Sequence, residues 1–163
     1  MVYSLHDINQ MSQDQFVQVF GSIFEHTPAI AAQAWEQRPF EIVDDLYQAM
    51  ITVVDGLSAD RKLALVCVHP DLGSNAKIAK ASVQEQSSAG LDRLSPAEYE
   101  RFQRLNQAYK EKFKFPFIIA VRNHTKESIL AAFEERLNSD PATELQQALT
   151  EIKAIAKFRL ETI

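Results

Sequence analysis

Apolar residues in this chain recur at intervals of three and four, in runs opened by capping residues and closed by glycine or proline. That spacing is the period of an α-helix with one buried face. The sharpest start is Ser95-Pro96-Ala97-Glu98, which joins a cap hydroxyl, a first-turn proline and a third-position glutamate. It predicts a helix with Tyr99, Phe102, Leu105, Tyr109 and Phe113 inward. Ser12-x-x-Gln15 opens another through Phe16, Val17, Phe20, Ile23 and Phe24. Thr27-Pro28 caps a third through Ile30, Ala31, Ala34 and Trp35, which Arg38-Pro39-Phe40 breaks. Ile42, Leu46, Ala49, Met50, Val53 and Val54 mark a fourth that stops at Gly56. Ser58 caps a fifth, carrying Leu63, Val66 and Cys67. Further helices are expected over residues 82–89, from Thr125 to about Leu137, and from Ser139-Asp140-Pro141 onward. The last has Leu145, Ala148, Leu149, Ile152, Ile155 and Ala156 inward. The expectation is all-α: one domain over residues 1–163, built from seven to eight helices joined by short loops.

One stretch departs from this pattern. Phe115-Pro116-Phe117-Ile118-Ile119-Ala120-Val121 is too short and too rich in bulky and β-branched residues for a surface helix. It is expected to be extended and buried. With no other strand to pair with, its N–H and C=O groups need partners, and a bound ligand is one candidate.

Composition narrows the function classes. The chain has 163 residues, 46% apolar and 24% charged, enough to bury a core. Its net charge is −5, and no cluster of Lys and Arg stands out. A nucleic-acid partner is therefore not expected, because neutralising phosphates needs a basic surface. A small anionic substrate remains compatible, since one or two buried cations can hold it. Cys67 is the only cysteine, which rules out an intrachain disulfide and a cysteine-rich metal site. Val66 and Val68 on either side suggest a buried thiol rather than a nucleophile. No apolar run approaches the roughly 20 residues of a membrane span, and the N-terminus lacks a basic region followed by an apolar one. The expected location is the cytoplasm, with no membrane partner.

Two stretches carry the candidate chemistry. Val66-Cys67-Val68-His69-Pro70-Asp71-Leu72-Gly73 ends an apolar helical run on a histidine locked against a proline. An imidazole with a fixed backbone at a helix end is suited to proton transfer near neutrality. Ser82, Glu85 and Gln86 stand at i, i+3 and i+4, so their side chains share one helix face. On spacing alone that stripe reads first as a solvated face. Val83 and Ala89 give the helix little apolar surface of its own, and a stripe facing a cavity is the other reading. Arg159 reads as a surface residue by position and as an anion clamp by chemistry. No His-x-x-x-His or Glu-x-x-His pair occurs, so no metal site is expected.

Taken together, these blocks resemble the 2-oxo-4-hydroxy-4-carboxy-5-ureidoimidazoline (OHCU) decarboxylase family. The resemblance runs through Phe24-Glu25-His26-Thr27-Pro28, Arg38-Pro39-Phe40, His69-Pro70-Asp71-Leu72 and Glu85-Gln86-Ser87-Ser88-Ala89-Gly90-Leu91. It continues through Leu105-Asn106-x-x-Tyr109-Lys110-x-Lys112-Phe113, Phe115-Pro116-Phe117-Ile118-Ile119 and Phe158-Arg159-Leu160. The order and spacing of so many blocks make it specific. It implies an all-helical homodimer that works without cofactor or metal on a small ureido substrate. It implies His69 as the catalytic proton donor and Glu85 as its acidic helper. Pro70, Ser82, Gln86, the backbone of Phe117, Ile118, Ile119, Ala120 and Val121, and Arg159 become the substrate contacts. Lys114 stands where the family commonly has glycine, and the interval from His69 to Glu85 is shorter than in some relatives. A helical scaffold without activity, or an enzyme acting on a related ureido compound, are the alternative readings.

Overall fold

The computed structural model describes residues 3–74 and 80–163. Among the described residues there is no strand and there are nine α-helices, one more than expected. They are α1 (Leu5–Gln10), α2 (Gln13–Phe20), α3 (Ala29–Ala34), α4 (Val43–Asp55) and α5 (Ala59–Cys67). Then come α6 (Lys80–Ser88), α7 (Pro96–Phe113), α8 (Lys126–Arg136) and α9 (Pro141–Thr162). The additional helix is α1, a short element opened by a Ser4–Asp7 capping box.

The chain forms two compact units, one of residues 1–65 and 153–163, the other of residues 66–152. In the first, Phe16, Phe20, Ile23 and Phe24 are buried as their spacing predicts, although α2 stops at Phe20. Thr27 does not cap α3: its hydroxyl donates to the Glu25 carbonyl, and the helix begins with no side-chain cap. Along α4, Leu46, Ala49, Met50 and Val54 are buried, whereas Ile42 precedes the helix and is 57% exposed. Asp45 accepts from the Glu41 and Ile42 N–H groups, so a carboxylate serves the start of α4.

In the second unit α7 has the expected capping box and first-turn proline. Its buried face runs through Phe102, Asn106, Tyr109 and Phe113, while Tyr99 is exposed and Leu105 half-buried. The stripe is thus rotated towards Asn106, a polar residue that reaches a backbone carbonyl inside the fold. Lys112 at the end of α7 donates to the Leu137 carbonyl at the end of α8 (2.6 Å). The Lys126 ammonium of α8 lies 2.8 Å from Glu98 and holds that carboxyl at about 2, below its ordinary 4.5.

The non-helical stretch is as expected: residues 115–121 are all buried, and only Val121 enters a short 3-10 turn, Val121–Asn123. Its entrance is Lys114, which ends α7 in the left-handed conformation at φ 64°. A Cβ there crowds the following carbonyl, and glycine escapes that cost. The reversal that aims the chain into its buried run is therefore made here by a lysine at some cost in strain. Lys114→Gly should raise stability by about 0.5–1 kcal/mol, relief of the left-handed strain exceeding the added freedom of the unfolded chain. Urea unfolding of the two proteins measures it.

Candidate active site

His69 follows directly on α5. The helix ends at Cys67, the His69 N–H donates to the Val66 carbonyl (3.2 Å), and the residue is 8% exposed. The chain then turns through Pro70 to Gly73, whose φ of +65° is left-handed. A Cβ on Gly73 would lie 2.9 Å from the Leu94 Cδ1, so both conformation and space require glycine. Cys67 and Val68 are exposed, which corrects the expectation of a buried thiol. Val66 alone of the three turns inward, because a helix places successive residues about 100° apart. What burial Cys67 has pushes its thiol pKa up, so it is not an activated nucleophile.

Three side chains hold this turn. Asn106 donates through Nδ2 to the Leu72 carbonyl (2.9 Å), Gln86 accepts the Gly73 N–H through Oε1 (3.0 Å), and Lys110 pairs with Asp71. The sequence carries a signal for Asn106: a polar residue three before Tyr109 falls on the same face as a buried aromatic. For Gln86 the sequence points to a substrate contact only. Its carbonyl oxygen is engaged by Gly73, and the amide nitrogen is the end left to address a ligand.

The polar stripe of α6 does not lie on a solvated face. Ser82 and Gln86 are buried and Glu85 is half-buried, whereas Val83 between them is 50% exposed. The helix thus presents its polar side inward and an apolar residue outward, the inverse of an ordinary surface helix. α6 also lies against the Val121–Asn123 turn, at the end of the extended run. The second unit therefore joins Gln86 to the turn after His69 and sets α6 beside Val121. Residues 75–79 of the interval between His69 and Glu85 lie outside the described residues.

The extended run is held by side chains of two later helices, α8 and α9. Arg136 Nη1 donates to the Ile118 carbonyl (2.6 Å), and the Ala120 N–H donates to Glu151 Oε2 (2.8 Å). Arg136 also pairs through Nε with the buried Glu144, which accepts the Tyr109 hydroxyl (2.9 Å). Burial first, and the Glu144 carboxylate second, push the Tyr109 pKa far up, so this phenol stays a donor. The Arg136 guanidinium sits 4.4 Å over the Phe117 ring, which stacks on Phe133 with centroids 3.9 Å apart. None of Arg136, Glu144 or Glu151 is marked by local pattern.

Arg159 lies in the other unit and is 6% exposed, not on the surface. Its Nη1 is 3.1 Å from Glu25 Oε2 and 3.3 Å from the Ile23 carbonyl. Glu25, from the Phe24-Glu25-His26-Thr27-Pro28 block, is the buried counter-charge, to which sequence reasoning assigns no role. Among the described residues no three His, Cys, Asp or Glu side chains gather in a way that could hold a metal ion.

The sequence model of OHCU decarboxylase matches residues 9–161. The chain belongs to the OHCU decarboxylase family. It is 44% identical over 157 residues to the 2-oxo-4-hydroxy-4-carboxy-5-ureidoimidazoline decarboxylase of Haloferax volcanii, covering 96% of this chain and 94% of that one. It is 42% identical over 162 residues to the uric acid degradation bifunctional protein of Bacillus subtilis, covering 99% of this chain and 33% of that one. Among solved structures, (S)-allantoin synthase aligns with a TM-score of 0.80 at 32% identity, covering 98% of this chain and 53% of that chain.

In this family member, Gln86 is part of the scaffold as well as a candidate contact. Gln86→Leu leaves the buried Gly73 N–H without its acceptor and should cost about 1–3 kcal/mol. Gln86→Glu, which keeps an oxygen there, should lose less. Chemical denaturation of the three proteins decides it.

Proposed function

We propose that this chain decarboxylates OHCU to (S)-allantoin in urate catabolism, with His69 as the group that moves the proton. Residues 1–163 act as one catalytic domain in this reading. What supports it is membership of a decarboxylase family across residues 9–161, joined to a buried histidine on a turn fixed by Gln86, Asn106 and Lys110.

The chemistry asks little of a cofactor. Loss of CO₂ breaks the bond from the ring carbon to its carboxylate and leaves an electron pair on that carbon. The neighbouring ring C=N accepts the pair and its nitrogen takes up a proton, giving an enol with a ring N–H. The enol then takes one proton at the carbon bearing the ureido group, while its hydroxyl proton leaves as the ring carbonyl forms. One proton is consumed for each CO₂ released. Delivery from one face gives one enantiomer, and this requires a positioned acid rather than water.

Each remaining residue has a role in that sequence. Glu85 sets the orientation and charge of His69, with Pro70 beside the ligand. Ser82 and the Gln86 amide nitrogen meet polar atoms of the ureido group. The backbone of Phe117, Ile118, Ile119, Ala120 and Val121 reads the ring, and Arg159 binds the carboxylate. Its pairing with Glu25 suits that role, because a guanidinium already held by one carboxylate keeps a fixed geometry toward a second. The protein acts as a homodimer in the cytoplasm; among the described residues no helix is long and apolar enough to cross a membrane.

The test follows (S)-allantoin by circular dichroism after the protein is added to freshly generated urate oxidation product. Wild type should accelerate appearance of the single enantiomer over buffer. His69→Asn should lower kcat by about 10²-fold or more, the usual share of a positioned general acid. A variant with unchanged rate removes His69 from the chemistry.

A further inference from the structure

The buried extended run has two edges, and the structure treats them differently. In extended backbone the polar groups of residues i and i+2 point to one edge and those of i+1 to the other. Arg136 bonds the Ile118 carbonyl and Glu151 bonds the Ala120 N–H, so both act on the same edge. The alternate residues, Phe117 and Ile119, direct their N–H groups to the opposite edge. Neither of those N–H groups has a hydrogen-bond partner among the described residues. A buried N–H without a partner is costly, and a ligand that supplies acceptors relieves that cost.

We propose that Arg136 and Glu151 are positioning residues that fix residues 117–121 as a one-sided hydrogen-bonding edge for the ureide ring. This rests on the reading above, in which that backbone meets the substrate. The two residues come from different helices, α8 and α9, and each is itself braced. Arg136 is held by Glu144 through Nε and by the Phe117 ring below its plane. Glu151 Oε1 accepts from Gln147 Nε2 (2.8 Å), which leaves Oε2 aimed at Ala120. A cyclic ureide carries ring carbonyls that can accept from N–H groups held in fixed positions, and the Phe117 and Ile119 N–H groups are the ones left to donate. Arg136 and Glu151 touch only protein and act through the segment.

The test compares Glu151→Leu, Glu151→Gln and Arg136→Lys with wild type, in steady-state decarboxylation assays with thermal melts alongside. Glutamine still offers an oxygen to the Ala120 N–H and should stay within about twofold of wild type in KM. Leucine removes that oxygen and should raise KM about five- to tenfold, the worth of one ordinary hydrogen bond, with a smaller change in kcat. Arg136→Lys keeps the charge opposite Glu144 but loses the planar fork and should also raise KM. If Glu151→Leu does not fold, the Arg136→Lys result stands alone. An unchanged KM in a folded Leu or Lys variant, or equal impairment of Gln and Leu, overturns the assignment while wild-type activity upholds the site. A wild type inactive on the substrate overturns both.

Discussion

A buried extended segment in an all-helical protein has no sheet to satisfy it, and the second unit is built around that constraint. Helices close their own hydrogen bonds internally; residues 115–121 cannot. The partners come instead as side chains from α8 and α9, and these are charged. Bringing Arg136 into a largely apolar interior costs desolvation, which Glu144, the Ile118 carbonyl and the Phe117 ring offset together. Tyr109 completes the set by donating to the same carboxylate. Removing any one member strands the others, so the network acts as a unit.

A similar constraint governs the histidine. His69 does not rest on a helix but on a turn, and turns move unless tied. The ties here are side-chain amides: Asn106 on the Leu72 carbonyl and Gln86 on the Gly73 N–H. Gln86 belongs to the helix that also carries Ser82 and Glu85, so the element presenting polar groups is bonded to the one presenting the imidazole. α6 has almost no apolar face with which to anchor itself, and Val83 points outward. Its position comes from polar contacts, from the Val121–Asn123 turn beside it, and from Gly90, whose φ of +78° follows the end of the helix.

Much of this architecture is legible in the sequence because the signals are local. Capping boxes at Ser12 and Ser95 and the cap at Thr125 involve residues three apart, and each appears as expected. The extended run is legible from length and β-branching. The misreadings share one cause, which is that burial is decided by partners far along the chain. Cys67 lies between valines yet faces out, and Ile42 begins an apolar series yet precedes the helix. Glu144 sits beside Leu145, and the apolar pattern favours the leucine, but it is Glu144 that is buried. Its need is set by Tyr109, 35 residues away. Arg136 likewise reads as an ordinary cation at a helix C-terminus until its carbonyl partner, 18 residues earlier, is seen. Arg159 and Glu25, 134 residues apart, cannot be paired by spacing.

Catalysis of the proposed kind requires the ligand to lie between the imidazole of His69 and the unpaired edge at Ile119. A crystal structure with (S)-allantoin bound tests this most directly. It should show the ureide ring accepting from the Ile119 N–H, with a His69 ring nitrogen within hydrogen-bond distance of the ligand. Allantoin seated with no ring atom accepting from the Ile119 N–H and no His69 nitrogen within hydrogen-bond distance would contradict it.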